Sequence, residues 1–376
     1  MSNTSISRRR FAQLLGLGAA VTVARPRFIT ARVPGTAAAP AGLIRLSSNE
    51  NPYGPARGAL QAMTDCFGVA CRYPDERNDV LIEALAKLNG VPNEQILLGD
   101  GSSEVLQLAA LAFTGADSRP LVAADPTFEA ILNHAQANGA KTVKIPLTAS
   151  FAHDLAKMSS SATKSGLVYI CNPNNPTASI TPKKELREFI NKTPPETIIL
   201  VDEAYFHYAD SPDYESVIPL VKDHANLIVA RTFSKIYGMA GLRCGYCIAQ
   251  KPTLERMQAR QSWDSVNVLA LAAAIESLKD EAQVTSGRRL NSEAKSYTLG
   301  ELDSLGYKSL PSQANFIMVD VQRPVKPLLT AMREHKVQVG RLFPTLPNHM
   351  RVTIGKKDEM EAFVTAFREV AGRASA

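Results

Sequence analysis

Short apolar runs recur along the middle of the chain, and helix-like stretches of mixed polarity separate most of them. The runs are Ile96–Leu98, Leu121–Ala124, Thr142–Ile145, Leu167–Cys171, Ile198–Val201, Leu227–Ala230 and Cys244–Ala249. Runs this short that stay apolar throughout predict strands of a buried sheet. Strands alternating with helices predict an α/β fold with a mostly parallel, seven-stranded sheet. Asp100-Gly101-Ser102-Ser103-Glu104 opens one of the intervening helices, which runs apolar-periodic from Val105 to Phe113. From about residue 266 the pattern changes. A long helical stretch passes through Leu269–Ile275, and Gln313–Val319 and Met350–Ile354 predict two more strands. The expected organisation is a targeting segment at 1–39, part of a smaller α+β domain and an arm at 40–74, a large domain at 75–265, and the rest of the smaller domain at 266–376.

Composition fits that plan. The 376 residues are 45% hydrophobic, enough for a large core in two domains. The formal charge is +6, but Arg8, Arg9, Arg10, Arg25, Arg27 and Arg32 all precede residue 40, and no acid does. Without those six, 36 basic residues face 36 acidic ones. A neutral body gives no reason to expect nucleic acid or an anionic membrane as a partner.

The basic segment has a use of its own. Ser7-Arg8-Arg9-Arg10-Phe11 leads into the short apolar stretch Leu14–Val21, a signal-peptide pattern. The paired arginines with Phe11 resemble a bacterial twin-arginine signal, which predicts a periplasmic location. That route exports folded chains, so a cofactor loaded before export would travel inside its enzyme. Cleavage near Ala24 and cleavage within Ala37-Ala38-Ala39 both fit the sequence.

The five cysteines do not read as a disulfide framework or a zinc site, and no metal is expected. Cys244 and Cys247 have redox-like spacing, but in a strand positions three apart point to opposite faces, so both read as core. A bridge between Cys66 and Cys71 is left open.

In a parallel sheet, ligands collect just outside the carboxyl ends of the strands. Chemistry-bearing residues fall there repeatedly. Phe128 follows one strand in Asp125-Pro126-Thr127-Phe128, and Asn172-Pro173-Asn174-Asn175-Pro176-Thr177 follows another. Asp202-Glu203-Ala204-Tyr205 follows a third, and Thr232-Phe233-Ser234-Lys235 a fourth. Lys235 closes a buried apolar run, where desolvation disfavours the ammonium and leaves a free amine near neutral pH. Asp202, at the edge of the buried sheet, needs a cationic partner. Arg243 is one candidate partner for Asp202, and a phosphate is an alternative partner for Arg243. The Gly101-Ser102-Ser103 turn presents backbone N–H groups and a positive dipole end, which also suit a phosphate.

The block from Thr232 to Gly245 closely resembles the lysine region of pyridoxal-phosphate enzymes of the aspartate-aminotransferase fold, and within them the histidinol-phosphate aminotransferase group. The resemblance runs over roughly residues 43–370, with its motifs in order. It implies the fold of the type I pyridoxal-phosphate transferases, with pyridoxal 5'-phosphate as cofactor and a homodimer as the active form. Lys235 would hold the cofactor and act as the base, Asp202 would pair with the ring nitrogen, and Asn175 and Tyr205 would bond the phenolic oxygen. Phe128 would stack on the ring. Ser102, Ser103, Thr232, Ser234 and Arg243 would surround the phosphate, with Tyr73 reaching it from the other subunit. Arg351 would grip the substrate carboxylate beside Asn315, while Arg341 and Tyr53 would meet the rest of the substrate. The family's Asn-Pro-Thr-Gly is Asn175-Pro176-Thr177-Ala178 here.

The implied activity is transfer of an amino group between an L-amino acid, or a histidinol-phosphate-like amine, and a 2-oxo acid. Threonine-phosphate decarboxylases resemble the same group, so a decarboxylase or other lyase is the alternative. A non-catalytic amine sensor on this fold is a third reading, with no DNA-binding extension to support it. The export signal and the prolines of Val339–Pro347 favour an exported relative acting on another amino acid.

Overall fold

The computed structural model describes residues 42–116, 119–162 and 166–372. The targeting segment therefore lies outside the described residues. In chain order the elements begin with β1 (Ile44–Leu46), α1 (Arg57–Cys66), α2 (Asp75–Asn89), β2 (Ile96–Gly99) and α3 (Gly101–Phe113). Next come β3 (Leu121–Asp125), α4 (Ala130–Ala137), β4 (Thr142–Pro146), α5 (Leu155–Ser161), β5 (Leu167–Cys171) and α6 (Lys183–Lys192). The middle of the chain adds β6 (Ile198–Asp202), β7 (Leu227–Thr232), β8 (Gly245–Ile248), α7 (Lys251–Gln258), α8 (Val268–Ser277) and α9 (Glu281–Ser304). It ends in β9 (Lys308–Ser309), β10 (Phe316–Asp320), α10 (Val325–Glu334), β11 (Val337–Val339), β12 (His349–Thr353) and α11 (Lys357–Gly372).

The seven expected strands form one sheet in the order β2-β8-β7-β6-β5-β3-β4. The strands from β4 to β7 are parallel, and β8 runs antiparallel to both β7 and β2. Two reversals make β2 run the same way as β7. The carboxyl ends of β2, β3, β5, β6 and β7 therefore share one edge, where β8 begins.

Alternation along each strand feeds two cores. Ile199, Val201 and Val229 pack with Leu81 and Leu85 of α2, Leu186 and Ile190 of α6 and Leu271 of α8. Ile198, Leu200 and Ile228 face the other way, against Leu106 and Phe113 of α3, Ile131 of α4 and Met257 of α7. Cover on both faces is why these strands read as unbroken apolar runs. Cys244 lies in the first core and Cys247 in the second, so they face opposite sides as the strand geometry requires. All five cysteines are free, Cys66 buried and Cys71 exposed.

A third core joins β10, β12, α10 and α11 with Leu46 of β1. It contains the antiparallel sheet β12-β10-β9 and the parallel pair β1-β11. Pairing of Ile44–Leu46 with Val337–Val339 brings the start of the described chain beside its last strands. No apolar period announces so short a strand in the sequence.

Candidate active site

A cavity of about 840 Å³ opens at the shared edge of the large sheet. Lys235, Asp202, Tyr205, Asn175, Phe128, Ser102, Ser103, Thr232, Ser234, Arg243, Arg341 and Arg351 all line it. The strand ends thus bring together the residues that the sequence placed at them. Three expected residues lie elsewhere. Tyr53 lines a separate small hollow with Asn51, Tyr208 and Asn315, and Lys356 Nζ lies 5.9 Å from its ring centre. Asn315 stands behind the cavity wall, donating to the carbonyls of Asn49 and Glu50 at 3.1 and 3.2 Å. Tyr73 is 81% exposed and touches nothing in the cavity of its own chain.

Lys235 follows β7 on the tight loop that leads to β8. Its Nζ donates to the Asn49 carbonyl at 3.0 Å and lies 5.4 Å from the centre of the Tyr205 ring. Burial of the amine and the nearby Arg351 charge push it down to about 8, against the pull of Glu50 and Asp202. The side chain still lines the open cleft, so the amine is accessible as well as partly deprotonated at neutral pH.

Asp202 closes β6 and is 2% exposed. Oδ2 accepts from the Tyr169 hydroxyl at 2.9 Å and Oδ1 from the Ala204 N–H at 3.1 Å. Burial pushes it up to about 6, although both hydrogen bonds and Lys235 oppose the rise. Arg243 is not its partner. The buried ion pair belongs to the next residue, with Glu203 Oε2 2.8 Å from Arg231 Nη2. Among the described residues, no basic side chain forms a salt bridge with Asp202. A buried carboxylate in that state is an unfilled site for a cation.

Arg243 fills the opposite end. Its guanidinium donates to the carbonyls of Ala240 and Asp100 at 2.9 and 3.3 Å, beside the first turn of α3. Two glycines make this fit possible. A Cβ on Gly101, which sits at φ +73°, would come within 2.2 Å of Arg243 Nη2. A Cβ on Gly245 would come within 2.4 Å of the Ser102 nitrogen. The first turn of a helix leaves backbone N–H groups without intrahelical partners. With Arg243 and the hydroxyls of Ser102, Ser103, Thr232 and Ser234, it forms a cradle for an anion. Arg243 itself sits at φ +60°, a strained conformation of the kind that clusters at functional sites.

The far wall belongs to the other sheet. Arg351 of β12 donates through Nη1 to Asn175 Oδ1 and through Nη2 to the Ser47 carbonyl, both at 2.7 Å. Its Nε is buried with no partner. The Arg341 guanidinium lies 4.5 Å from the Phe343 ring centre and that of Arg351 5.2 Å, so the two cations share one aromatic ring. Arg341 also pairs with Glu129 at 2.5 Å.

Two further participants carry no motif in the sequence. Asn49 sits at φ +54°, donates to the Tyr205 hydroxyl at 3.0 Å and offers its carbonyl to Lys235. The signal was an asparagine in a turn-rich segment, since asparagine tolerates the left-handed region. Tyr169 is the other, a hydroxyl inside an otherwise unbroken apolar strand, where it needs a partner.

The cavity thus brings together an amine with a lowered proton affinity, a buried carboxylate without a basic partner and a cradle for an anion. The profile of the family "Aminotransferase class I and II" matches residues 41–367. The chain belongs to that family. It is 40% identical over 332 residues to histidinol-phosphate aminotransferase of Moorella thermoacetica, covering 87% of this chain and 85% of that one. The Bacillus subtilis (strain 168) enzyme of the same name is 33% identical over 331 residues, 87% of this chain and 91% of that one. Among solved structures, a putative histidinol-phosphate aminotransferase from Erwinia carotovora atroseptica superposes with a TM-score of 0.86 at 31% identity, covering 89% and 97% of the two chains. The Sinorhizobium meliloti enzyme in complex with pyridoxal-5'-phosphate gives 0.83 at 27% identity, covering 89% and 92%. A threonine-phosphate decarboxylase from Porphyromonas gingivalis also superposes, at 23% identity, and shares the fold.

This aminotransferase uses pyridoxal phosphate, which carries the aldehyde, ring nitrogen and phosphate that the cavity is shaped to receive. The unpaired Asp202 carboxylate and the cradle around Arg243 suit its two charged ends, with Lys235 positioned for its aldehyde. Among the described residues, no group of three or more His, Cys, Asp or Glu is placed to hold a metal ion. No described helix is long and apolar enough to cross a membrane.

Proposed function

We propose that this aminotransferase moves an amino group from an L-amino acid, or a histidinol-phosphate-like amine, to a 2-oxo acid, with Lys235 as the proton carrier. The observation that carries the reading is the Lys235 side chain lining one cavity with Asp202 and Arg351, its amine pushed down to about 8 by burial. Bound pyridoxal phosphate supplies an aldehyde and a ring that accepts the electrons released at the substrate's α-carbon. Arg243, Ser102, Ser103, Thr232 and Ser234 would hold its phosphate, Asp202 its ring nitrogen, Asn175 and Tyr205 its phenolic oxygen, and Phe128 one ring face. Arg351 would turn Nε, and an Nη now shared with Asn175 or Ser47, toward the substrate carboxylate in the two-pronged geometry that guanidinium allows. That grip fixes which bond stands ready to break. Lys235 Nζ would be the base that takes the α-proton and the acid that gives it back.

The names of the relatives support a histidinol-phosphate-like amine as the first donor to test. Other amino acids follow, because the arginine-rich start of the chain supports export by a twin-arginine route and work in the periplasm. The reading includes a homodimer. The exposed apolar side chains of Tyr73, Phe67, Leu60 and Trp263 support it, being surface that a second copy would cover. In that dimer Tyr73 would reach the partner's phosphate cradle.

A screen of amine donors against several 2-oxo acids, read by mass spectrometry, tests the activity. Matched appearance of a new oxo acid and a new amino acid is expected, with pyridoxamine phosphate after a half-reaction. Carbon dioxide release with no amino transfer would refute it. Mixing Tyr73→Phe and Lys235→Ala variants, each inactive alone, should restore partial activity through hybrid dimers; a strictly monomeric active enzyme would remove Tyr73 from the site. Replacing Arg8 and Arg9 with lysine should leave the enzyme folded and active in the cytoplasm, and unchanged periplasmic activity would end the export reading.

A further inference from the structure

Tyr169 is fully buried in β5, and it is the only described side chain that donates a hydrogen bond to Asp202. The strand register explains how it reaches. Cys171 stands opposite Asp202 and Tyr169 opposite Leu200, so the phenol crosses two rungs of the ladder diagonally to the strand end. The other groups around Asp202 do not do this work. Cys171 directs its thiol to the Pro173 carbonyl at 3.4 Å, and Glu203, just past the end of β6, is occupied by Arg231. Tyr205, on the loop after β6, accepts from Asn49, and Tyr214 on the same loop donates to the Asn172 carbonyl. Lys235, after β7, bonds the Asn49 carbonyl. Burial and the Asp202 charge hold the Tyr169 phenol protonated, so toward the carboxylate it acts only as a donor.

We propose that Tyr169 is a positioning residue for the amino-transfer site, its hydroxyl keeping Asp202 ionised so that the proton shared with the cofactor resides on the ring nitrogen. The inference rests on Asp202 as the partner of that nitrogen. A hydrogen bond to the charged form of a carboxylate lowers its proton affinity. Burial raises the proton affinity of Asp202 and the Tyr169 bond opposes that rise, so loss of the bond favours the carboxylate as owner of the shared proton. Without the Tyr169 bond the proton moves from nitrogen to carboxylate, the pair keeps its proton count, and the ring becomes a poorer electron acceptor. The ring of Tyr169 packs in the core in either case, so packing and proton placement are separable by removing the hydroxyl alone.

The test is the 15N chemical shift of pyridoxal phosphate labelled at the ring nitrogen, measured in the loaded wild type, Tyr169→Phe and Asp202→Asn proteins. Wild type should show a protonated nitrogen at pH 7. Tyr169→Phe should move toward the unprotonated shift while its melting temperature stays close to wild type. Replacing Tyr169 with 3-fluorotyrosine, a stronger donor of nearly the same shape, should move the shift the opposite way. In cofactor-free protein, infrared titration of the Asp202 carboxylate, assigned by difference from Asp202→Asn, should rise by about one pH unit or more in Tyr169→Phe. If Tyr169→Phe leaves the nitrogen at its wild-type shift while Asp202→Asn moves it, the proposal is overturned and the reading of Asp202 stands. If neither variant moves it, both fall.

Discussion

Arg351 and Asn175 stand 176 positions apart in the chain, and Arg351 Nη1 donates to Asn175 Oδ1 across 2.7 Å. One residue belongs to the antiparallel β12-β10-β9 sheet and the other to the end of β5 in the large sheet. This bond joins the two sheets at the wall of the cavity, leaving Arg351 Nε buried and unpartnered.

A carboxylate clamp and a ring-nitrogen partner should fail differently. Arg351→Ala would remove the proposed carboxylate grip, made with substrate and transition state alike, so KM should rise. Loss of charge-assisted hydrogen bonds predicts a fall in kcat/KM on the order of 10². Arg351→Lys should recover little of it, because lysine lacks the fork. Asp202→Asn keeps the shape and should lower kcat instead, with KM within a few-fold. Steady-state kinetics of the three variants check the split. An Asp202→Asn enzyme that turns over normally but melts early would make Asp202 a structural residue.

In the cofactor-free protein the stability contributed by Asp202 itself, read as the difference between wild type and Asp202→Asn, should fall as pH rises through 6. The folded-state value of Asp202, about 6, lies above its ordinary value of 3.8. Its contribution is therefore fully present below about pH 4 and lost as pH rises through about 6, a change of roughly 3 kcal/mol. Asp202→Asn should remove this segment of the stability curve, and saturating pyridoxal phosphate should flatten it by supplying the missing cation. Denaturant titrations of apo wild type and variant from pH 4 to 8 measure it. Coincident curves would contradict the buried, unpaired state of Asp202.

Arg341 and Glu129 pair at the cavity wall with about half of each side chain exposed. Such a pair adds little stability, so Arg341→Ala should shift ΔG by less than about 1 kcal/mol. Its cation would serve a second acidic group on the substrate. KM for a dicarboxylic 2-oxo acid should rise about ten-fold, with KM for a monocarboxylic one nearly unchanged. Equal effects on both would remove Arg341 from substrate recognition.

The large sheet was legible because its strands are buried on both faces and read as unbroken apolar runs. Lys235, Asp202, Asn175 and Phe128 were legible because each falls within five residues after such a run. What escaped depends on partners distant in sequence. Asn49 gains its meaning from Thr353, whose hydroxyl accepts its N–H at 2.9 Å, 304 positions away. The Arg231–Glu203 pair and the Tyr169–Asp202 bond each join different strands, and strand order cannot be read from periodicity. Ala178, where the resemblance expected glycine, proves to sit at φ +60°, the left-handed region that favours glycine. Tyr53 follows Asn49 in the same turn-rich segment, yet the turn at Gly54, φ +68°, carries it to the neighbouring hollow.

The central claim is that Lys235 is the residue that takes the cofactor's aldehyde. Borohydride reduction of the yellow, loaded enzyme followed by peptide mapping tests it most directly. The account predicts one pyridoxyl group per chain, on Lys235, and none in Lys235→Ala. A label on any other lysine, or a wild-type enzyme that takes no label, would contradict it.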